Sequence, residues 1–111
     1  VFKAPPFRCA DWFNRGNPIC APGLTMDREN LLQFRAPALA GLEAIAARSK
    51  AVSLWDPFPV LCPKDAPCSA FVGKVPLFFD GDHLSGSGNM RLYDSFSRCM
   101  EAAAANRGCG D

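Results

Sequence analysis

The segment at residues 77–88 has the sequence LFFDGDHLSGSG and is the most informative part of the chain. An apolar run ends there in two acids, the single histidine of the chain and a serine-rich stretch typical of a helix start. An aspartate placed before a histidine accepts a hydrogen bond from one ring nitrogen and fixes the tautomer, which leaves the other nitrogen free to take a proton from a nucleophile. Asp80 and His83 are therefore candidates for two members of a hydrolytic triad.

The same residues also allow a purely structural interpretation. His83 would then be a surface histidine beside two acids, hydrogen-bonded and inert. Asp80 competes with Asp82 for the orienting role, and an Asp-Gly pair is in any case a common turn. The D-x-x-H spacing favours Asp80 as the orienting residue, and Asp82 is expected to be a loop or helix-entry acid.

Ser85 and Ser87 are the hydroxyl groups closest to His83 in sequence. A hydroxyl so near its base along the chain rarely reaches the geometry for attack, and a serine before an apolar helix usually caps it. We therefore expect Ser85 to cap a final helix that ends at Gly108. The buried face of that helix is expected to consist of Leu92, Phe96, Cys99 and Ala103.

Upstream of this segment, the sequence predicts a long helix between extended pieces. An apolar stripe over residues 31–45 has helical spacing and keeps its phase across Pro37, which predicts one kinked helix or two abutting ones. Thr25 is the expected N-cap, and the helix is expected to end near Ser49. Residues 1–7 are typical of a strand end and 8–25 of a loop; residues 51–55 predict a short strand, and 71–79 a small hairpin or extended edge.

Six cysteines are many for a chain of 111 residues, and they fall into pairs that are close in sequence. The pairs are Cys9 with Cys20, Cys62 with Cys68, and Cys99 with Cys109. An even number in short loops indicates disulfides and an oxidising compartment, although sequence alone does not establish which cysteines are joined. Free or zinc-bound thiols are the alternative, but the sequence has no C-x-x-C and its histidine lies far from any cysteine.

Composition limits the classes of partner. The length fits one domain or part of one, and 49% of the residues are hydrophobic. A net charge of +1 without a basic cluster gives no reason to expect nucleic acid. No apolar run is long enough to cross a bilayer, and the N-terminus lacks a basic-then-apolar signal peptide.

The D-x-x-H-L-S-x-x-G pattern at residues 80–88 resembles the last motif of the SGNH (GDSL-type) hydrolases. More closely, it is similar to the SGNH domain fused to bacterial membrane acyltransferases of family 3, which O-acetylate surface polysaccharides. Further support comes, in order along the chain, from residues 4–6, the Cys9 and Cys20 loop, residues 52–57, and the Cys62 and Cys68 loop. The resemblance covers nearly the whole chain, from Phe2 to about Met100.

This resemblance implies an α/β fold: the C-terminal portion of a three-layer α/β/α, flavodoxin-like domain with a mostly parallel sheet and disulfide-stapled loops. Residues 1–111 would be the C-terminal part of one such domain. The family's nucleophile lies in an N-terminal G-D-S motif, followed by its oxyanion-hole Gly and Asn, and none of these is assignable here. Only Asp80 and His83 carry over, so the chain by itself is expected to be inactive.

The resemblance implies a serine esterase or O-acyltransferase that adds or removes O-acetyl groups on cell-envelope polysaccharide. His83 would take the proton of a serine from the N-terminal half of the domain, and Asp80 would stabilise the imidazolium. The implied partners are an acylated glycan or other acyl-ester substrate, that N-terminal half and a membrane acyltransferase domain, with no cofactor, metal or nucleic acid. The expected location is periplasmic or extracellular. The alternative is a non-catalytic, disulfide-stabilised module that binds glycan or protein.

Overall fold

The computed structural model describes residues 16–18, 24–80 and 83–109. The helices in these ranges are α1 (Arg28–Arg48), α2 (Phe58–Leu61) and α3 (Gly86–Ala104). The strands are β1 (Thr25–Met26), β2 (Cys68–Ser69), β3 (Phe71–Val72) and β4 (Val75–Pro76). The expected strand end at residues 1–7 and the proposed pairing of Cys9 with Cys20 lie outside the described residues.

Helix α1 begins after Asp27 and continues as one helix through Pro37. The Asp27 carboxylate accepts a hydrogen bond from the amide of Glu29 at 2.9 Å, and its charge also suits the positive end of the helix. The prediction of Thr25 as the cap is wrong, because Thr25 pairs with Ser69 in the antiparallel ladder between β1 and β2. The helix therefore starts later than the sequence pattern predicts.

Helix α3 confirms the prediction for its start and corrects the one for its end. Ser85 is the N-cap, and its hydroxyl accepts a hydrogen bond from the amide of Gly88 at 3.0 Å. At the other end, Asn106 adopts a left-handed conformation with φ of 55°. The amides of Asn106 and Arg107 donate back to the carbonyls of Ala103 and Ala102, which forms a Schellman motif. The helix thus stops before Gly108.

The strands of the described residues are short and antiparallel. β1 pairs with β2, and β3 pairs with β4 in a hairpin whose turn contains Gly73 at a φ of 59°. The hairpin expected within residues 71–79 is confirmed. Residues 52–57 join no ladder in the described part of the chain, so the strand expected at 51–55 is not formed there. A mostly parallel sheet is likewise not seen in these ranges, where both ladders are antiparallel. A strand forms only where a neighbouring backbone is available to pair with it, and residues 52–57 have no such neighbour among the described residues.

Two clusters of buried side chains hold these elements together. The larger joins α2, the hairpin and α3 and consists of Leu61, Ala70, Leu77, Phe78 and Leu92. The smaller lies between α1 and the Cys62–Cys68 loop and consists of Leu31, Phe58, Cys62 and Cys68. Disulfides join Cys62 to Cys68 and Cys99 to Cys109, which confirms two of the three expected pairings.

Part of each helical apolar stripe remains uncovered. Leu31 is buried, but Phe34, Leu42 and Ile45 on the same stripe of α1 are 63%, 44% and 56% exposed. On α3 the expected buried face is confirmed at Leu92 and Cys99, whereas Phe96 is exposed. In the part of the chain that the structure describes, no helix combines the length and apolar character needed to cross a bilayer.

Candidate active site around Asp80 and His83

The candidate site lies where the chain leaves the β3–β4 hairpin and enters α3. Phe78 and Leu84 form an isolated antiparallel bridge. The amide of Phe79 donates to the carbonyl oxygen of His83 at 2.8 Å. These backbone contacts pin both ends of the connection that carries Asp80 and His83, so the two side chains are held on the same side of a short loop.

Asp80 binds both the backbone and the ring of His83. Its Oδ1 atom accepts from the His83 amide at 2.7 Å, and Nδ1 of the imidazole lies 3.0 Å from Oδ1 and 2.8 Å from Oδ2. The carboxylate therefore fixes the turn and the ring together. The sequence pattern placed this contact correctly, because a spacing of three residues brings an aspartate side chain back onto the amide and ring of the histidine.

This geometry has a direct chemical consequence. A neutral imidazole that donates Nδ1–H to a carboxylate carries its lone pair on Nε2, the arrangement of a general base. The His83 side chain is 76% exposed, whereas Asp80 is only 33% exposed. Nε2 has no hydrogen-bond partner among the described residues. The rival orienting residue, Asp82, lies outside those residues.

No described serine reaches His83. The hydroxyl of Ser85 donates its proton to the carbonyl oxygen of Pro76 at 2.6 Å and accepts a hydrogen bond from the amide of Gly88. Its proton is therefore not directed at His83. Ser87 is exposed on the first turn of α3 and makes no hydrogen bond to the histidine in the described ranges. The capping role predicted for Ser85 is confirmed, and the described residues contain no nucleophile in contact with the base.

Comparison with protein families places this arrangement in a known group. Residues 2–98 match the family described as "SGNH domain (fused to AT3 domains)". The chain belongs to this SGNH family. No curated protein and no solved structure is significantly similar to the chain. Membership indicates an α/β hydrolase-type fold and a role in acyl-ester hydrolysis or acyl transfer, and the fusions within the family support a membrane acyltransferase as partner domain.

The SGNH chain contains a close backbone approach that the sequence analysis missed. Gly88 is buried in the first turn of α3, and a Cβ atom there would overlap the carbonyl oxygen of Leu77. The same oxygen accepts the amide of Ser85 at 3.0 Å. The available signal was the glycine of the H-L-S-x-x-G pattern, since glycine inside a helix is unfavourable unless something needs the space.

Two other features of the SGNH chain lie away from this loop, namely a cleft and the contacts of Trp55, which lines it. A cleft of about 520 Å³ runs between α1, residues 54–60 and the second half of α3, with Trp55 and Arg98 among its lining residues. The Trp55 indole N–H donates to Ser95 at 3.1 Å, and the ring packs edge-on against Phe96. Within the described ranges, no three His, Cys, Asp or Glu side chains come together to hold a metal ion.

Proposed function

We propose that Asp80 is the orienting carboxylate and His83 the general base of a Ser-His-Asp triad in an acyl-ester hydrolase or O-acyltransferase. The observation that carries this proposal is the 2.8 Å contact between Nδ1 of His83 and Oδ2 of Asp80, beside an exposed ring. A carboxylate in this position holds the imidazole in the tautomer that presents a basic Nε2. SGNH membership supports acyl-ester chemistry at this site.

The proposed reaction has two steps. A serine from a part of the domain outside the described residues attacks the acyl carbonyl while Nε2 of His83 takes its proton. The tetrahedral intermediate collapses, the imidazolium returns the proton to the departing alkoxide, and an acyl-serine ester remains. Water or a sugar hydroxyl then gives its proton to His83 and attacks that ester. The imidazolium returns the proton to the departing serine oxygen, which releases the acid or the acylated sugar and restores serine and neutral His83.

The proposed substrate is an O-acetylated polysaccharide of the bacterial cell envelope, and the proposed location is the periplasm or the cell exterior. The Cys62–Cys68 and Cys99–Cys109 disulfides support an oxidising compartment. Fusion of family members to AT3 domains supports a membrane acyltransferase as the source or the recipient of the acyl group.

We further infer that the described residues form the C-terminal part of a three-layer domain whose sheet is mostly parallel. The exposed stripe on α1 supports this inference, because Phe34 and Ile45 are large apolar side chains that continue the line of buried Leu31. Helices of α/β domains cover such stripes with the sheet they flank. An unpaired segment at 52–57, next to α1 in the chain, is suited to be one strand of that sheet.

A non-catalytic binding module is the second candidate. One observation favours it: no hydroxyl among the described residues contacts His83. In that case the Asp80–His83 pair would stabilise the loop, and glycan or protein binding would be independent of the imidazole.

The decisive experiment uses the complete protein that contains this domain. Wild type, His83→Ala and the control Ser87→Ala are compared for p-nitrophenyl acetate turnover and for labelling by a fluorophosphonate probe. The proposed triad predicts that His83→Ala abolishes turnover and labelling, while Ser87→Ala retains both. Full turnover by folded His83→Ala would exclude the triad, and a wild type silent in both assays would favour the binding module.

A further inference from the structure

We propose that Ser85 is a positioning residue for His83, beyond its role as the cap of α3. Its hydroxyl ties the strand before the candidate site to the helix after it, and His83 lies between these two anchors. The significance for catalysis rests on the proposed function of His83, whereas the effect on the imidazole is measurable without any reaction.

The hydroxyl of Ser85 makes more contacts than a cap needs. A cap only has to accept a hydrogen bond from an amide of the first turn, as this oxygen does from Gly88 at 3.0 Å. The hydroxyl proton is used as well, because it is donated to the carbonyl oxygen of Pro76 at 2.6 Å. A serine hydroxyl has one proton to donate, so its single donor is committed to the last residue of β4.

This second hydrogen bond adds an outer contact to the loop that carries the histidine, beyond the backbone contacts that join the two segments. Ser85 also donates its amide to Leu77 at 3.0 Å, and the Phe78–Leu84 bridge follows on the same two segments. The chain therefore runs from a fixed point at Pro76 and returns to it at Ser85, two residues beyond His83.

The exposure of the ring makes this anchoring important. The His83 side chain is 76% exposed, so packing contributes little to its orientation. Its ring is held by Asp80 alone among the described residues, and in this loop Asp80 lies towards β4 whereas His83 lies towards α3. Any change in the separation of the two loop ends therefore changes the Nδ1–carboxylate contact directly.

The chain offers a direct readout, because His83 is its single histidine. Nitrogen-15 NMR of the imidazole, recorded at a pH of about 9 where an ordinary imidazole is neutral, reports which ring nitrogen carries the proton. Wild type should show Nδ1 as the protonated nitrogen, and Asp80→Ala should move the proton towards Nε2. The Asp80→Ala spectrum defines the signature of the lost contact.

Three substitutions separate capping from positioning. Ser85→Ala removes both hydrogen bonds of the hydroxyl. Ser85→Asp keeps a good cap acceptor but has no proton for Pro76, and Ser85→Thr keeps both the acceptor and the donor. Ser87→Ala is the matched control, since Ser87 is an exposed serine two positions along the same turn.

The proposal predicts that Ser85→Ala and Ser85→Asp shift the proton towards Nε2 while Ser85→Thr and Ser87→Ala keep the wild-type signature. Helix content measured by circular dichroism should stay unchanged in Ser85→Asp. A wild-type signature in folded Ser85→Asp would overturn the proposal, because capping alone would then suffice. Global unfolding of Ser85→Asp would also overturn it, since the hydroxyl would then support the whole domain rather than this loop.

Activity of the complete protein tests the catalytic consequence separately. Ser85→Asp should lower kcat for p-nitrophenyl acetate and leave KM nearly unchanged, and Ser85→Thr should restore kcat. If the NMR signature is lost and kcat does not change, the proposed catalytic role of His83 fails while the positioning role stands. If the signature is retained in Ser85→Asp, the positioning role fails whatever the rate.

Discussion

Gly88 lies directly against the carbonyl oxygen of Leu77, at the point where α3 meets the strand that leads to Asp80. A Cβ atom at Gly88 would overlap that oxygen and approach the side chain of Leu84 to 3.1 Å. The oxygen is also fixed by the Ser85 amide at 3.0 Å, so it is not free to move away. The absence of a side chain at this one position lets the helix dock against the strand.

We predict that Gly88→Ala destabilises the domain by about 1–3 kcal/mol, the usual cost of forcing an extra methyl group into a packed site. Helix propensity alone predicts the opposite, because alanine is favoured over glycine inside a helix by about 1 kcal/mol. The steric effect should dominate, since the group in the way is backbone rather than a flexible side chain. Urea denaturation followed by circular dichroism measures the free energy of unfolding.

Gly86→Ala is the matched control, two residues earlier in the same helical turn. No atom lies within 4 Å of the Cβ position at Gly86. This substitution should leave stability unchanged or raise it by up to about 1 kcal/mol. Equal effects of the two substitutions would show that the close approach at Leu77 does not constrain the helix.

Asp80→Asn tests the orienting role of the carboxylate. The substitution keeps the size of the side chain but removes the charge of the carboxylate, whose Oδ2 lies 2.8 Å from Nδ1 of His83. In a serine protease with this triad, the corresponding Asp→Asn change lowers kcat about 10⁴-fold through the wrong tautomer, and we expect a loss of about 10³–10⁴-fold in the complete protein. Steady-state kinetics with p-nitrophenyl acetate measures it.

Asp94→Asn provides the control for that experiment. Asp94 is exposed on α3 and makes no hydrogen bond or ion pair with other described residues. Its substitution should leave kcat within about twofold of wild type, as expected for surface positions away from special contacts. A comparable loss in both variants would point to a general charge effect and against a specific role for Asp80.

The sequence predicted the local contacts of the site well, because those contacts depend on short spacings. The D-x-x-H pattern placed Asp80 against His83, and Ser85 was identified as a cap from the apolar pattern that follows it. The disulfides at Cys62–Cys68 and Cys99–Cys109 also join neighbours along the chain. Features that depend on a few neighbouring residues can therefore be predicted from the sequence.

Predictions that depended on competing partners were less successful. Thr25 has a side chain suited to a helix cap, but it pairs with Ser69 and is therefore part of β1. Asn106 rather than Gly108 ends α3, since asparagine also tolerates a left-handed conformation. Whether residues 52–57 form a strand depends on a neighbouring backbone, which no local pattern provides. Gly88 was missed because its close approach to Leu77 depends on how α3 docks against the preceding segment, which helix propensity does not report.

We expect the disulfide that closes the shorter loop, Cys62–Cys68, to contribute more to stability than Cys99–Cys109. Loop-closure entropy predicts slightly more stabilisation from Cys99–Cys109, which has a sequence separation of 10 against 6 for Cys62–Cys68. Cys62 and Cys68 are 0% and 1% exposed and pack in the core with Leu31, so their removal also leaves a cavity.

We expect Cys62→Ala with Cys68→Ala to cost about 3–5 kcal/mol, and Cys99→Ala with Cys109→Ala about 2–3 kcal/mol. Thermal unfolding of the two double variants under non-reducing conditions compares them. If the Cys99 and Cys109 variant proves the less stable, loop length rather than core packing controls the contribution of these disulfides.

Arg35 connects α1 to the turn that starts α2. Substitutions of Arg35 test whether this connection needs the shape of the guanidinium or only its positive charge. Its guanidinium forms two hydrogen bonds to Asp56, at 2.9 and 2.6 Å, and lies 4.4 Å from the ring centroid of Phe58. The Arg35 side chain is 10% exposed and that of Asp56 is 29% exposed, so water screens this pair less than a surface ion pair.

We predict that Arg35→Ala lowers the free energy of unfolding by about 2–3 kcal/mol, somewhat below the cost of breaking a fully buried pair because Asp56 remains partly hydrated. Arg35→Lys should still lose about 1–2 kcal/mol, because an ammonium group cannot reproduce the two parallel hydrogen bonds or the stacking on Phe58. Arg98→Ala, an exposed arginine on α3, should change stability by less than about 0.5 kcal/mol. Urea denaturation of the three variants decides between shape and charge: if Arg35→Lys matches wild type, the positive charge alone holds α1 in place, and the planar geometry of the guanidinium is irrelevant.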